Sequence, residues 1–121
     1  MNHSPAFLAL VDAAKSRVRE ISVEEARQKL QNGGAHLIDV REDTEWAAGR
    51  IKGAQHIGRG VLERDIEKKV PDKNAELILY CGGGFRSALS ADNLLTMGYK
   101  NVLSMAGGWR EWQSKGMPTE K

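Results

Sequence analysis

Cys81 is the only cysteine in the 121 residues, and it ends an apolar run, Leu77-Ile78-Leu79-Tyr80. Three consecutive glycines follow, Gly82, Gly83 and Gly84, then Phe85 and Arg86, and a helix-compatible run opens at Ser87. A strand, a tight glycine loop and a helix N-terminus form an anion cradle: successive backbone N–H groups point inward, and the helix dipole adds positive potential. Glycine suits such a loop because it takes positive φ and lets the backbone come close to what is bound. A thiol at the entrance sits where its thiolate is favoured, since nearby donors and a positive field stabilise the anion. Arg86 adds a fixed charge and a planar fork of donors matched to an oxyanion. A lone cysteine before a turn is ordinarily a small buried apolar residue. Here strand, thiol, glycines, arginine and helix start coincide, and nucleophilic chemistry is the better reading.

Asp39-Val40-Arg41 is a second signal. It closes the run His36-Leu37-Ile38-Asp39-Val40, at a strand's C-terminal end, where open α/β sheets place their binding crevices. The remaining polar residues point less sharply. His3, His36 and His56 are scattered without metal-ligand spacing, so packing or solvent exposure is expected for them and no metal site is expected. His56 stands nearest the rim of the site and is a weak candidate for substrate contact. Arg59 and Arg64 could attract an anion, although a solvated face accounts for them too. Trp109 and Trp112 read as core or rim aromatics, and Gly33-Gly34 and Gly107-Gly108 as turns rather than phosphate loops.

The elements that must hold these groups alternate along the chain. Residues 4–17 read as a helix with Ser4 as cap, Pro5 in the first position and an apolar face of Phe7, Leu8, Leu10, Val11 and Ala14. This segment is expected either to cover a sheet edge or to mediate dimerisation. Val18–Ile21 suits an edge strand, and Ser22 with Glu25 forms a capping box for a helix to Gln31, stopped by Asn32-Gly33-Gly34. After the His36–Val40 strand come a short helix over 43–48 ended by Gly49, a short strand around 54–57, and a helix over 60–69 with Val61, Leu62, Ile66 and Val70 inward. The cysteine strand follows, then a helix from Ser87 to Met97 with Gly98 beyond it, a strand over 101–105, and a helix from Gly108 to Lys115. Short strands alternating with helices at this pitch predict an α/β domain with a mainly parallel sheet and helices on both faces.

Composition excludes several classes. With 18 basic and 16 acidic residues the net charge is +2, too balanced for a nucleic-acid or membrane-surface partner. One cysteine permits no internal disulfide and fits a reducing compartment. No apolar run approaches the roughly twenty residues of a membrane span. Asp12 interrupts the first apolar stretch, and a signal peptide is not expected, so cytoplasmic residence is the default reading.

Two segments give the chain a family resemblance. Leu37-Ile38-Asp39-Val40-Arg41, followed by Glu45-Trp46-Ala47-Ala48-Gly49-Arg50-Ile51-Lys52-Gly53-Ala54, is similar to the early signature of the single-domain rhodaneses, with Arg50 where that family usually has histidine. Cys81 through Arg86 resembles the family's six-residue active-site loop, and Gly98-Tyr99-Lys100-Asn101-Val102 with Gly107-Gly108-Trp109 resembles its ending. The resemblance covers residues 18–117, leaving a helical extension at 1–17 and a tail at 118–121. It implies a three-layer fold around a five-stranded sheet and a sulfurtransferase. Cys81 would take the outer sulfur of a donor such as thiosulfate, forming a persulfide, and a small thiol, cyanide or a protein thiol would accept it. Residues 82–87 would stabilise the terminal sulfur, Arg86 would hold the loop or the donor, and Asp39 and Arg41 would brace the loop. No metal or organic cofactor is implied, and the chain would be a monomer or homodimer.

Two other classes compete. Cysteine-based phosphatases and arsenate reductases also use a cysteine–arginine loop, but those of this fold place five residues between the two, against four here. The shorter ring suits one sulfur better than a tetrahedral phosphate. Rhodanese-like modules that only bind a partner usually lack the cysteine, which is present.

Overall fold

The computed structural model describes residues 3–121, so the first two residues of the 1–17 segment lie outside it. The chain runs α1 (Pro5–Lys15), β1 (Arg19–Ile21), α2 (Val23–Asn32), β2 (Ala35–Asp39), α3 (Asp43–Ala48), β3 (Arg50–Ile51) and β4 (Gln55–His56). A 3-10 turn at Arg59–Val61 leads into α4 (Leu62–Lys69), then β5 (Glu76–Tyr80), α5 (Phe85–Thr96), β6 (Asn101–Met105), α6 (Gly108–Ser114) and β7 (Thr119–Glu120). Five strands form one sheet in the order β1-β6-β5-β2-β4, and every pairing in it is parallel. The parallel α/β sheet expected from the alternation of elements is therefore present.

The central strand explains the arrangement. Leu77, Leu79 and Cys81 face one side of β5, among Leu62 and Ile66 of α4 and Ala91 and Leu94 of α5. Ile78 and Tyr80 face the other, with Val23 and Ala26 of α2 and Trp112 of α6. A strand buried on both faces must be apolar at every position, which is why this run does not alternate. Each such fully buried side chain contributes roughly 1.5–3 kcal/mol. The pleat also decides the chemistry, because it aims Cys81 toward α5.

Local signals set most boundaries. The Ser4 hydroxyl accepts from the Phe7 N–H, and the Ser22 hydroxyl from the Glu25 N–H, so both caps form as read. Helix α3 occupies 43–48, with a capping box between Glu42 and Glu45. Other expectations are corrected. The strand near 54–57 shrinks to Gln55–His56, and Arg50–Ile51 pairs instead with β7 as a two-stranded antiparallel ladder. The last residues are thus paired backbone. Helix α4 starts at Leu62 after the 3-10 turn, leaving Val61 exposed.

Helix α1 covers α5, not a sheet edge. Val11 and Ala14 pack on Leu89, with Phe7 and Phe85 beside them. The Arg17 Nε and Nη2 donate to the two Asp92 carboxylate oxygens at 2.8 and 2.7 Å, which ties the following turn to α5. The stripe is narrower than expected: Leu8 and Leu10 are 38% and 57% exposed.

Candidate active site

The loop after β5 turns sharply enough that α5 begins at Phe85, two residues before the expected start. Gly84 makes this possible with φ +102°, a left-handed conformation that glycine adopts without steric cost. The tight turn brings the first N–H groups of α5 onto the sulfur. Cys81 Sγ accepts from the Gly84 N–H at 3.1 Å and the Ser87 N–H at 3.4 Å, and lies 3.6 Å from the Ser87 hydroxyl. That hydroxyl is 2.8 Å from the Ser104 hydroxyl on β6. Of the expected cradle 82–87, Gly84 and Ser87 thus aim their N–H groups at the thiol. Cys81 is 1% exposed and forms the floor of a cleft of about 830 Å³.

Gly107-Gly108 does more than turn the chain. The Trp109 N–H donates to the Cys81 carbonyl at 2.8 Å, and the Arg110 N–H to the Gly82 carbonyl at 3.1 Å, so the start of α6 holds the loop from below. A Cβ on Gly108 would lie 2.4 Å from the Cys81 carbonyl oxygen. Only glycine allows this approach.

Arg86 does not present a free fork. Its Nη1 and Nη2 donate to the two Glu45 carboxylate oxygens at 2.8 and 3.1 Å. The hydrogen bonds from Arg86 hold the Glu45 carboxyl below its ordinary range, and the same pairing raises the arginine. Glu45 lines the cleft without having been singled out as a site residue; its sequence signal was its place at the head of the Glu45–Ala54 segment that resembles the family's early signature.

Asp39 and Arg41 form a buried pair, 0% and 2% exposed, joined through Arg41 Nε and Nη2. Burial is the largest single influence and disfavours the Arg41 charge, but the hydrogen bonds to Asp39 and its negative charge together outweigh it, and the pKa stands above the ordinary arginine value. Arg41 also donates to the Gly49 carbonyl, and its guanidinium lies 4.8 Å from the Trp109 ring. It also lies 5.7 Å from the ring of Tyr80, the residue before Cys81, so it meets the cysteine loop through these two rings. Neighbouring Tyr80 has its phenol pKa pushed up by burial first and by the Asp39 charge second; its oxygen accepts from the Ile51 N–H.

The cleft is also lined by His3, Phe7, Phe85, Arg59, Trp109 and Arg110. Arg59 therefore sits at the site, whereas His56 stacks on Trp46 at 4.8 Å and contacts the Arg41 carbonyl. Arg64 pairs with Asp65 on an exposed face. Arg50 stacks on Trp46, a packing role. Trp109 borders the cleft while Trp112 is core, so the two do not share one role. Among the described residues no three His, Cys, Asp or Glu side chains are grouped to hold a metal ion, and no helix is long and apolar enough to cross a membrane.

A parallel sheet with a cysteine loop feeding a helix N-terminus is the arrangement of a known domain class, and sequence comparison places the chain within it. The model of the rhodanese-like domain matches residues 22–115, so the chain belongs to the rhodanese-like family. The thiosulfate sulfurtransferase GlpE of Pseudomonas fluorescens is 33% identical over 99 residues, 82% of this chain and 88% of GlpE. The human single-domain sulfurtransferase TSTD1 superposes with a TM-score of 0.73 at 31% identity, over 81% of this chain and 97% of its own. RPA3614 of Rhodopseudomonas palustris, described as of unknown function and a possible tyrosine phosphatase, superposes with a TM-score of 0.84 at 29% identity, over 99% of this chain and 98% of its own. A further curated relative is longer, and the stretch matched by this chain spans only 54% of it.

Proposed function

We propose that the protein is a sulfurtransferase of the reducing cytoplasm, moving a sulfane sulfur from thiosulfate or a similar donor to cyanide or a thiol. The Cys81 thiolate attacks the outer sulfur, the electron pair of the donor's S–S bond leaves with sulfite, and Cys81 carries a persulfide. An acceptor then takes the outer sulfur and regenerates the thiolate. The carrying observation is the convergence of the Gly84 and Ser87 N–H groups on Sγ, at the positive end of α5. Such preorganised donors stabilise an anion without reorganising during the reaction. The kinship with GlpE and TSTD1 supports the same chemistry.

The description of RPA3614 keeps a phosphatase in view. Two features weigh against it here: the loop has four residues between Cys81 and Arg86, and the Arg86 fork is held by Glu45 instead of facing the cradle. Intact mass after brief exposure to thiosulfate, with and without a cyanide chase, tests the proposal. It should show a gain of one sulfur atom, lost to cyanide and absent in Cys81→Ser. No adduct with thiosulfate or 3-mercaptopyruvate, together with turnover of an aryl phosphate, would reverse it.

A further inference from the structure

The family match begins at residue 22, yet two of the side chains around Cys81 come from before it. The ring centroids of His3 and Phe7 are 5.1 Å apart, His3 and Phe85 4.9 Å, and Phe7 and Phe85 6.1 Å. Phe85 is the first residue of α5, directly after the cysteine loop, so the three rings make one aromatic wall at the thiol. The wall is held in place. Val11 and Ala14 fix α1 on Leu89, and the Lys15 ammonium lies 5.0 Å from the centroid of the Phe85 ring.

Arg59 and Arg110 line the same cleft, and among the described residues neither has a carboxylate within 4 Å. The Arg110 guanidinium lies over the loop: a Cβ built on Gly83 would meet its Nη2 at 2.7 Å. Two cations beside a nucleophilic sulfur suit an anionic donor. Inorganic thiosulfate, however, offers no carbon surface to three aromatic rings. It would also occupy little of a cleft of about 830 Å³, a size in the roughly 300–1,000 Å³ range that holds organic ligands.

We propose that the N-terminal segment is part of the substrate site, and that the cleft selects an anionic sulfane-sulfur donor with an apolar carbon body, of the organic thiosulfonate class, over inorganic thiosulfate. The inference rests on the sulfur-transfer reading. In the step, Cys81 thiolate bonds to the terminal sulfur of R–SO2–S⁻, the S–S bond breaks, and its electron pair leaves with the sulfinate R–SO2⁻. Arg59 and Arg110 attract the anion, and His3, Phe7 and Phe85 take the carbon body.

The test compares rates of persulfide formation with benzenethiosulfonate and with thiosulfate, in the wild type, Phe7→Ala and His3→Ala. Taking the ratio of the two donors and comparing it between variants cancels their intrinsic reactivity. The ratio should fall about fivefold in Phe7→Ala, the size of one aromatic contact, and by a smaller factor in His3→Ala. His3 is exposed, so its variant decides the matter should Phe7→Ala fail to fold. Wild-type ratios in the folded variants would overturn the inference and leave sulfur transfer standing. No persulfide from either donor in the wild type would overturn both.

Discussion

Both oxygens of the Glu45 carboxylate are engaged by the Arg86 guanidinium, at 2.8 and 3.1 Å, and this pair joins α3 to the first turn of the helix that carries the cysteine cradle. The two side chains are 36% and 31% exposed, so the pair's contribution to stability is modest, within about 1 kcal/mol. Glu45→Gln should lower the unfolding free energy by no more than that at neutral pH. The pH dependence has a defined sign. Because the folded-state carboxyl is held below its ordinary value, the stabilisation is present above the unfolded carboxylate pKa, about 4.3, and fades as the pH falls through the lower folded value. Chemical unfolding of wild type and Glu45→Gln should therefore converge in acid. A gap that widens in acid would contradict the assignment.

Gly108 should tolerate no side chain. At φ +55° with a built Cβ 2.4 Å from the Cys81 carbonyl, Gly108→Ala forces the cysteine loop to move. A loss of about 2–3 kcal/mol is expected from strain of this kind, together with a fall in sulfur transfer. Gly33→Ala is the control: its φ is +83°, yet nothing lies within 4 Å of the new atom. With ψ at 170° this is a conformation that essentially only glycine adopts, so the change should cost about 1–3 kcal/mol and leave transfer unchanged. Thermal unfolding and rates of both variants separate backbone conformation from close approach.

The contrast between these glycines shows what the sequence could disclose. The β5 run, the single cysteine and the three glycines were legible because they are contiguous and each follows a local rule. The caps at Ser4 and Ser22 were legible for the same reason. The start of α5 at Phe85 was not, because its cap is the left-handed Gly84 backbone, which leaves no side-chain signature. Glu45 reaches Arg86 across 41 positions, and Arg110 reaches the loop from another helix, relationships that only the packed sheet creates. The pairing of Thr119–Glu120 with Arg50–Ile51 spans two residues per strand, too short for any periodicity.

Asp39 and Arg41 act as a buried brace, so their variants should affect stability before chemistry. Asp39→Asn leaves the Arg41 charge buried with the Gly49 carbonyl as a remaining partner. Removing one member of such a pair costs about 3 kcal/mol or more. Well below the lowered melting temperature, the rate of persulfide formation should stay within a few-fold of wild type, since Arg41 meets the loop through the Trp109 and Tyr80 rings and does not line the cleft. A variant that melts normally but transfers no sulfur would show instead that the pair acts on the substrate.

The hydroxyl relay beneath the thiol gives a prediction in which two substitutions do not add. Ser87 Oγ lies between Cys81 Sγ at 3.6 Å and Ser104 Oγ at 2.8 Å, with all three residues buried. Ser87→Ala strands the Ser104 hydroxyl without its partner, at a cost of about 1–3 kcal/mol. Ser104→Ala leaves Ser87 its contact with the sulfur and should cost less. In the double variant no hydroxyl is stranded, so its destabilisation should fall short of the sum of the singles by about 1 kcal/mol. Transfer follows a different pattern. It should drop about tenfold or more whenever Ser87 is lost, because a donor to the anionic sulfur disappears, and it should be largely kept in Ser104→Ala. Denaturant unfolding of the four proteins measures the first pattern and single-turnover persulfide formation the second. Equal losses of transfer in the two single variants would mean that the Ser87 hydroxyl is not itself the donor to sulfur.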